Sequence, residues 1–400
     1  MRELKPDLAH ALSPGGPALA GPDGAGDPWP LWRHATSQRV RDLAWCSLAP
    51  PLLSRLPEFD IAGLGRAFGL ARWPEASRAA WMRWLATADP ALLPETIAEL
   101  ADQRGAEGGA PAGNRSLRLG RHAERLLHFA LTHAPGLELL ASNVPVRHRH
   151  DRGIRTLGEL DFVWRDPSRG EVVHWEMATK FYLHVGETES GAPTVPTAPV
   201  VPVVPVVPTT GLRAFVGPNL VDRLGDKLEH IVQRQLPLGD TPDARAALGC
   251  AIDRGEVYLL GWLFYRDDIL PSGLDALGIA PDHLRGWWST LDAWAARAAA
   301  RPTSRWCRLS RGDWLSGMRV GAVPAPGDPR FEDAAALHAA LAARFADPEP
   351  EHSWRRESPV MLCELAPIGT AGEEGWIEIS RGFVVPEGWE ARARERIARR

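Results

Sequence analysis

The spacing of apolar positions changes several times along the chain, and each change predicts a secondary-structure element. Residues 116–133 carry one apolar helical stripe that ends at Pro135-Gly136, and residues 219–235 carry another. Alternating or continuous apolar runs predict four strands, at 137–147, 156–165, 171–185 and 256–266. The middle of the chain therefore predicts the order helix, three strands, helix, strand.

The flanking regions have their own patterns. Helical spacing interrupted by prolines predicts N-terminal helices near 39–47, 76–86 and 94–102. Beyond residue 267, we expect a Trp-rich helix at His283–Ala300 and short strands near 306–309, 360–365 and 376–385. The whole pattern is that of an α/β protein with a mixed α+β sheet.

Segments rich in Gly, Pro and Ala divide these regions. Residues 1–28 predict a disordered tail, and residues 103–114 indicate a boundary. Repeated Val-Pro units within 186–211 favour a flexible polyproline excursion, although their apolar content would also suit a partner-docking motif. The expected organisation is a tail, a helical region, a central core and an α+β extension, at 1–28, 29–114, 115–266 and 267–400.

Composition narrows the classes of protein. The chain has 400 residues, of which 44% are hydrophobic, and this excludes disorder of the whole chain. Its formal net charge of -4 excludes a uniformly basic protein, so any polyanion site must be local. The four cysteines, Cys46, Cys250, Cys307 and Cys363, indicate neither a zinc site nor a disulfide framework. Because no signal peptide or membrane-spanning run is recognisable, we expect a cytoplasmic protein without a membrane partner.

One predicted strand pair carries the candidate chemistry. The turn Asp166–Gly170 joins strands 156–165 and 171–185 into an antiparallel hairpin with one apolar face. Closing the turn between Asp166 and Glu171 places Asp161 opposite Glu176 on the other face. Their Cβ atoms are then about 4.5–5.5 Å apart.

Two opposed carboxylates repel each other unless another group offsets their charge. A divalent cation that binds an oxygen of each is the simplest compensation, and carboxylate oxygens favour Mg²⁺ or Mn²⁺ over zinc. The same alternation is also typical of a sheet face exposed to water, on which Glu159, Asp161, Glu176 and Lys180 would hold no ligand.

Basic residues lie near this hairpin in the sequence. The helix that follows it carries Arg223, Lys227, His230 and Arg234 on one side, which suits phosphates but is also typical of an exposed helix face. Residues 111–155 contain eight arginines, including Arg121, against three acids. This local excess is what a polyanion groove requires.

Lysine is rare in the chain. Of 46 basic residues, only Lys5, Lys180 and Lys227 are lysines, so arginine is used wherever it serves. An ammonium group is a compact charge whose pKa can be shifted, whereas a guanidinium stays charged. Lys180 and Lys227 are therefore candidates for chemistry that arginine cannot perform.

Short motifs give the chain two resemblances. Residues 115–266 resemble the PD-(D/E)XK nuclease superfamily, whose core has the same order of elements; the flanking segments would then be a helical N-terminal region and an α+β C-terminal extension. The chain also resembles an uncharacterised bacterial family of unknown function, DUF1853, through VRDLAW (40–45), GELDFVW (158–164), HWEMATKFYL (174–183), GPNLVDRLGDKLEHIVQRQLPL (217–238), GWLFYR (261–266) and RGFVVPEGW (381–389).

The nuclease resemblance implies roles for individual residues. Asp161 would match the metal-binding aspartate, Glu176 the acidic residue of the second motif, and Glu124 the helix carboxylate that completes the metal shell. The superfamily's lysine lies two residues after the acid, where this chain has Ala178.

Two lysines are alternatives for the missing one. Lys180 lies on the correct face but about 6–7 Å farther along the strand than the superfamily's lysine. Lys227, from the following helix, would otherwise take its place.

Together these features predict a nuclease-like protein that hydrolyses phosphodiester bonds with Mg²⁺ or Mn²⁺ and binds nucleic acid, DNA rather than RNA. The expected catalytic residues are Asp161, Glu176 and Lys180, with Glu124 as a further metal ligand. Nucleic acid would contact Arg121, Arg223, Lys227, His230 and Arg234. One alternative is an inactive nuclease-fold module that binds nucleic acid or a protein partner; another is a structural scaffold.

Overall fold

The computed structural model describes residues 31–57, 68–106, 119–151, 153–186, 209–321, 333–347, 349, 353–368 and 375–399. The expected tail 1–28 lies outside these residues, as do most of the Val-Pro excursion and most of the boundary 103–114. Within the described residues, a mixed sheet is combined with helices, so the predicted α/β class is confirmed.

The helices follow the predicted order. The N-terminal region contains α1 (Leu31–His34), α2 (Gln38–Leu48), α3 (Glu75–Thr87), a 3-10 turn (Pro90–Leu92) and α4 (Ile97–Ala106). The middle contains α5 (Leu119–His133), α6 (Thr209–Leu212), α7 (Leu224–His230), a π-helical turn (Ile231–Gln235), α8 (Leu236–Leu238) and α9 (Pro242–Leu248). The C-terminal part contains α10 (Leu291–Ala299), a 3-10 turn (Arg311–Asp313), α11 (Ala334–Phe345), α12 (Ser353–Glu357) and α13 (Trp389–Ala398).

The strands confirm the predicted hairpin and the fourth core strand. They are β1 (Phe68–Leu70), β2 (Glu138–His150), β3 (Gly153–Asp166), β4 (Glu171–His184), β5 (Phe215–Val216), β6 (Arg254–Arg266), β7 (Arg285–Thr290), β8 (Arg305–Arg308), β9 (Arg319–Val320), β10 (Val360–Pro367) and β11 (Trp376–Val385). The predicted strands of the C-terminal part correspond to β8, β10 and β11.

The described strands form one sheet that runs from the core into the C-terminal extension. The main order is β2-β3-β4-β6-β7-β11-β10-β8, with β1, β5 and β9 paired to β6, β4 and β11. The centre, from β4 through β6 and β7 to β11, is parallel, whereas the pairs at both ends are antiparallel. The sheet therefore does not stop at residue 266.

Two predicted helices differ from the structure. The N-terminal half of His283–Ala300 is strand β7, because Trp287 and Trp288, each 1% exposed, are buried where β7 pairs in parallel with β6 and β11. Tertiary packing here overrides the helical pattern. The helix predicted from residue 219 begins at Leu224 instead, because a turn with Leu220 at a φ of 58° precedes it.

Side chains cover both faces of the hairpin. The predicted apolar face packs against α2, α3 and α5, although Leu160 packs instead in the small cluster of Val163 and Leu238. On the other face, Ala178 and Tyr182 pack against apolar residues of α7 and the π-helical turn. The face is therefore only partly open to water: Glu176 is buried and Asp161 half-buried, whereas Lys180 is partly exposed and Glu159 is exposed as the alternative interpretation expected.

No helix in the described ranges combines the length and the apolar character that crossing a membrane requires.

Candidate functional site

Asp161 and Glu176 lie where two strands of the hairpin separate. The β3–β4 ladder ends at the pair Phe162 and Trp175, and one further step in that register places Asp161 beside Glu176. The freed Asp161 carboxylate accepts a hydrogen bond from the backbone N–H of Met177 at 2.9 Å. Because backbone pairing ends here, the Asp161 carboxylate accepts from the Met177 N–H of β4 and lies beside Glu176.

Glu176 is buried with an incomplete set of partners. Its side chain is 1% exposed, and Oε1 accepts a hydrogen bond from the amide of Gln235. Oε2 is buried without a hydrogen-bond partner and lies 3.8 Å from Nε2 of the buried His174. Burial, followed by the charge of Asp161, raises the pKa of Glu176 to about 9. Burial also raises the pKa of Asp161. The two carboxyl groups therefore resist being ionised together.

The π-helical turn brings Lys227 and Gln235 together. In a regular α-helix two residues eight apart differ by about 80° in direction, so they lie on different sides. The wider turn at Ile231–Gln235 takes up one extra residue and returns Gln235 to the side of Lys227. Lys227 Nζ donates to Gln235 Oε1 at 3.0 Å, and Gln235 in turn donates to Glu176. Gln235 is thus a bridge between the ammonium and the buried carboxyl group.

Lys227 is the cation next to the carboxyl pair. Burial lowers the pKa of Lys227, while the charges of Glu176 and Asp161 oppose that shift. The sequence analysis did not identify Gln235, because a spacing of eight residues does not indicate neighbours on a helix. Pro237, which cannot donate to a helical carbonyl group, is the one signal that the helix is irregular here.

Glu124 of α5 approaches the same group from another side. Burial raises its pKa, and the neighbouring charge of Asp161 adds to the rise, whereas the charges of Arg121 and Lys227 lower it. Glu124 therefore lies close enough to Asp161 and Lys227 for their charges to shift its pKa.

The structure places Lys180 in a different set of contacts. Its Nζ is 2.5 Å from Asp222 Oδ2, and the Tyr182 hydroxyl donates to the same oxygen at 3.1 Å. Lys180 still contributes to the local charge, because it lowers the pKa of Lys227. Of the two candidate lysines, Lys227 rather than Lys180 is held at the carboxyl pair. Asp222 and Tyr182 were not among the predicted site residues.

The predicted basic stripe separates into two parts. His230 and Arg234 are exposed. Partial burial lowers the pKa of His230, and the neighbouring charges of Lys227 and Arg234 lower it further. Arg223 is 5% exposed; its guanidinium donates to Asp226 and to backbone carbonyl groups at the end of α13. Arg223 thus fastens α7 to the C-terminal helix.

Asp161 and Glu176 are the side chains of this site that could hold a divalent cation. Among the residues with described positions, no group of three or more His, Cys, Asp and Glu side chains is gathered for metal binding. Mg²⁺, however, commonly keeps several waters and takes only one or two protein carboxylates. Asp161 and the unpartnered Oε2 of Glu176 supply such a pair, so these residues fit a magnesium-sized ion.

A comparison with protein families matches residues 41–385 to a domain of unknown function, DUF1853. The chain belongs to the DUF1853 family. Searches among curated proteins and among solved structures give no match. The DUF1853 region spans α2 to β11, so Glu124, Asp161, Glu176, Lys227 and Gln235 all lie within it.

Proposed function

We propose that this DUF1853 protein is a metal-dependent, nuclease-like hydrolase of phosphodiester bonds with a core of the PD-(D/E)XK type. The observation that carries the proposal is the enclosed pair Asp161 and Glu176, in which one buried carboxyl oxygen has no partner and the pKa of Glu176 is raised to about 9. A divalent cation would bind Oε2 of Glu176 and would also offset the repulsion between the two carboxylates. Strongly perturbed carboxyl groups of this kind cluster at functional sites.

Each residue near the pair has a part in the proposal. Asp161 and Glu176 bind Mg²⁺ or Mn²⁺, and Glu124 completes the set from α5. The bound ion would polarise the scissile phosphate and lower the pKa of the attacking water. Lys227, fixed by Gln235, neutralises the negative charge that develops on the phosphate oxygens. His230 and Arg234 hold the adjoining phosphates at the helix surface.

A basic ribbon next to the site supports a nucleic acid as the substrate. Past the end of the β3–β4 ladder, β2 and β3 continue as a two-stranded ribbon whose residues 147–150 and 153–157 are exposed. Arg147 and Arg149 share one face with Ile154, which is 60% exposed. The opposite face packs towards α9, where His148 Nδ1 is 2.8 Å from Asp243 Oδ2.

The shape of the ribbon favours DNA over RNA. A two-stranded ribbon fits the major groove of B-DNA, whereas the major groove of A-form RNA is too deep and narrow for it. The ribbon continues the strand that carries Asp161, so a duplex bound along it would run towards the carboxyl pair. Duplex DNA is therefore the proposed substrate class.

The decisive experiment is cleavage of labelled single- and double-stranded DNA and RNA, with Mg²⁺, with Mn²⁺ or with EDTA. We expect cleavage of duplex DNA that needs the metal and that Asp161→Asn abolishes. Glu138→Gln is the matched control, because Glu138 is an exposed carboxylate of the neighbouring strand that pairs with Arg165. Equal cleavage by wild type and Asp161→Asn would refute the proposal.

The ribbon has its own test. Replacing Arg147 and Arg149 by Gln should weaken duplex binding and lower the slope of log K against log salt by about two, near one for each lost phosphate contact. Arg169→Gln, at the exposed turn on the other end of the hairpin, is the control. An unchanged slope in the double variant would remove the ribbon from the interface.

A second candidate function is nucleic-acid binding without cleavage. The observation that favours it is the position of Lys180, which is engaged by Asp222 while Ala178 occupies the place of the superfamily's lysine. This candidate predicts duplex binding with no cleavage in any metal. A purely structural scaffold predicts neither metal nor nucleic-acid binding.

The cellular location is part of the same proposal. All four cysteines are free thiols, and Cys46, Cys307 and Cys363 are buried. Free thiols are typical of reducing compartments. We accordingly propose a cytoplasmic protein.

A further inference from the structure

A cavity between the C-terminal extension and the loop 218–220 is not used by the proposed nuclease-like site. Its volume is about 480 Å³, within the range of small-molecule sites. The walls come from the loop 218–220, the segment 308–314, α11, α12, the start of β10 and α13. None of the carboxyl groups around Asp161 lines it. The cavity is therefore a separate feature of the fold.

The charge of the lining is strongly one-sided. Four arginines contribute to the wall, Arg308, Arg311, Arg344 and Arg392, whereas Glu357 is the only acidic residue among the described ones that line it. Guanidinium groups are planar donors that match phosphate oxygens in pairs. Arg308 and Arg344 make further contacts within the chain, and Arg392 donates to the Glu357 carbonyl group at 3.5 Å, so these guanidinium groups are held around the concave surface. Such a surface favours an anion inside a chain whose net charge is -4.

Aromatic side chains also line this cavity. Trp354 of α12 lines the cavity and is 64% exposed, whereas Trp389, which also lines it, is buried. Trp314 also lines the cavity, with the guanidinium of Arg311 5.9 Å from its ring centroid. An exposed tryptophan beside several arginines offers a flat surface for a ring and donors for an anion.

We propose that this cavity binds a mononucleotide. The arginines hold its phosphates, and Trp354 stacks on its base. The volume admits both parts together, and a phosphate alone would leave the aromatic wall without a role. The site acts independently of the Asp161 and Glu176 pair, so loss of one function leaves the other intact.

The test is equilibrium dialysis with radiolabelled ATP in EDTA, which keeps divalent ions from the carboxyl pair. We expect saturable binding that is weakened about tenfold or more by Arg392→Ala, which corresponds to one lost charge-assisted contact. Arg394→Ala is the matched control, because Arg394 lies on the same helix and pairs with Glu390 outside the cavity. Trp354→Ala should weaken binding, and Trp354→Phe should restore part of it.

Competition experiments measure the contributions of the base and of the phosphates to binding separately. Adenosine and pyrophosphate should each compete far less well than ATP. Failure of ATP to bind at millimolar concentration, equal competition by pyrophosphate and ATP, or unchanged affinity in Trp354→Ala would overturn the proposal. Unchanged melting temperatures of the variants ensure that a loss of binding is not a loss of fold, and Asp161→Asn should bind ATP as wild type does.

Discussion

Two clusters in this protein bury charged groups to the same extent but treat them differently. Arg381 is 1% exposed, and its guanidinium donates to both oxygens of Glu378, at 2.5 and 2.8 Å. It also donates to the carbonyl groups of Trp314 and Ser316 and lies 4.4 Å from the ring centroid of Trp262. Although burial opposes its charge, Glu378 raises the pKa of Arg381. This cluster is complete within the chain.

The cluster around Glu176 is incomplete. Glu176 is also 1% exposed, but one oxygen lacks a partner and the nearest carboxyl group has the same charge. Lys227 is the nearby cation, and its ammonium bonds to Gln235. The difference shows that burial of a charge alone does not indicate a function. A buried ionisable group that keeps an oxygen without a hydrogen-bond partner indicates a place where a ligand can bind.

The largest effect is expected from breaking the complete cluster. Arg381→Ala removes the guanidinium that bonds both oxygens of the buried Glu378 carboxylate, which keeps only the hydrogen bond from the Met318 N–H among its described close contacts, so the free energy of unfolding should fall by about 3–5 kcal/mol. Urea denaturation measures it, with Arg394→Ala as a surface control. A loss below about 1 kcal/mol would mean that the Arg381 cluster is not the structural one.

Metal addition should affect only the incomplete cluster. At a concentration near one hundred times its dissociation constant, Mg²⁺ should stabilise the wild type by about 2.7 kcal/mol, which corresponds to several degrees in melting temperature. Asp161→Asn should show no such shift, and Glu138→Gln should retain it. The same shift in wild type and Asp161→Asn would exclude the carboxyl pair as the binding site.

Making Glu176 permanently neutral should change how the stability depends on pH. Between its ordinary pKa of 4.5 and the raised value of about 9, the unfolded chain releases the Glu176 proton while the folded chain keeps it. Wild-type stability therefore falls as pH rises through this interval. Glu176→Gln lacks this loss, so it should be more stable than wild type by over about 1.4 kcal/mol at pH 9 and nearly equal at pH 5.

Unfolding in urea at pH 5, 7 and 9 without metal measures this difference. A stability difference that does not depend on pH would show that Glu176 is ionised throughout.

The two lysines should give the smallest difference. Lys227→Met removes the cation beside two buried carboxyl groups and should cost about 1–3 kcal/mol near neutral pH. Lys180→Met breaks a half-exposed pair with Asp222 and should cost below about 1 kcal/mol. Denaturation of both variants in parallel makes the comparison, and the reverse order would place the balancing charge on Lys180.

The sequence predicted the strands of the hairpin better than the helix that covers them. A strand has a period of two, and the turn at Asp166–Gly170 sets the pairing, so the facing of Asp161 and Glu176 could be derived from residue numbers. No comparable sequence rule predicts a π-helical turn, and it is this turn that brings Gln235 next to Lys227. The exposure of His230 and Arg234, against the burial of Arg223, likewise depends on where α13 lies.

The C-terminal part shows the same contrast. Trp287 and Trp288 fit a helical pattern, but the strand edge offered by β6 determines their backbone. Contacts with residues far away in the chain decide such positions, and local periodicity does not contain them. The roles assigned to the individual site residues stay predictions until the variants are measured.

Because the sheet continues past residue 266, a truncated core fragment would have an unpaired strand. A fragment that ended at residue 266 would leave β6 as an open edge, with its apolar side chains and unpaired backbone amides available to other chains. Such a fragment should self-associate instead of remaining monomeric. The extension therefore serves as the missing neighbour that keeps the core from aggregating.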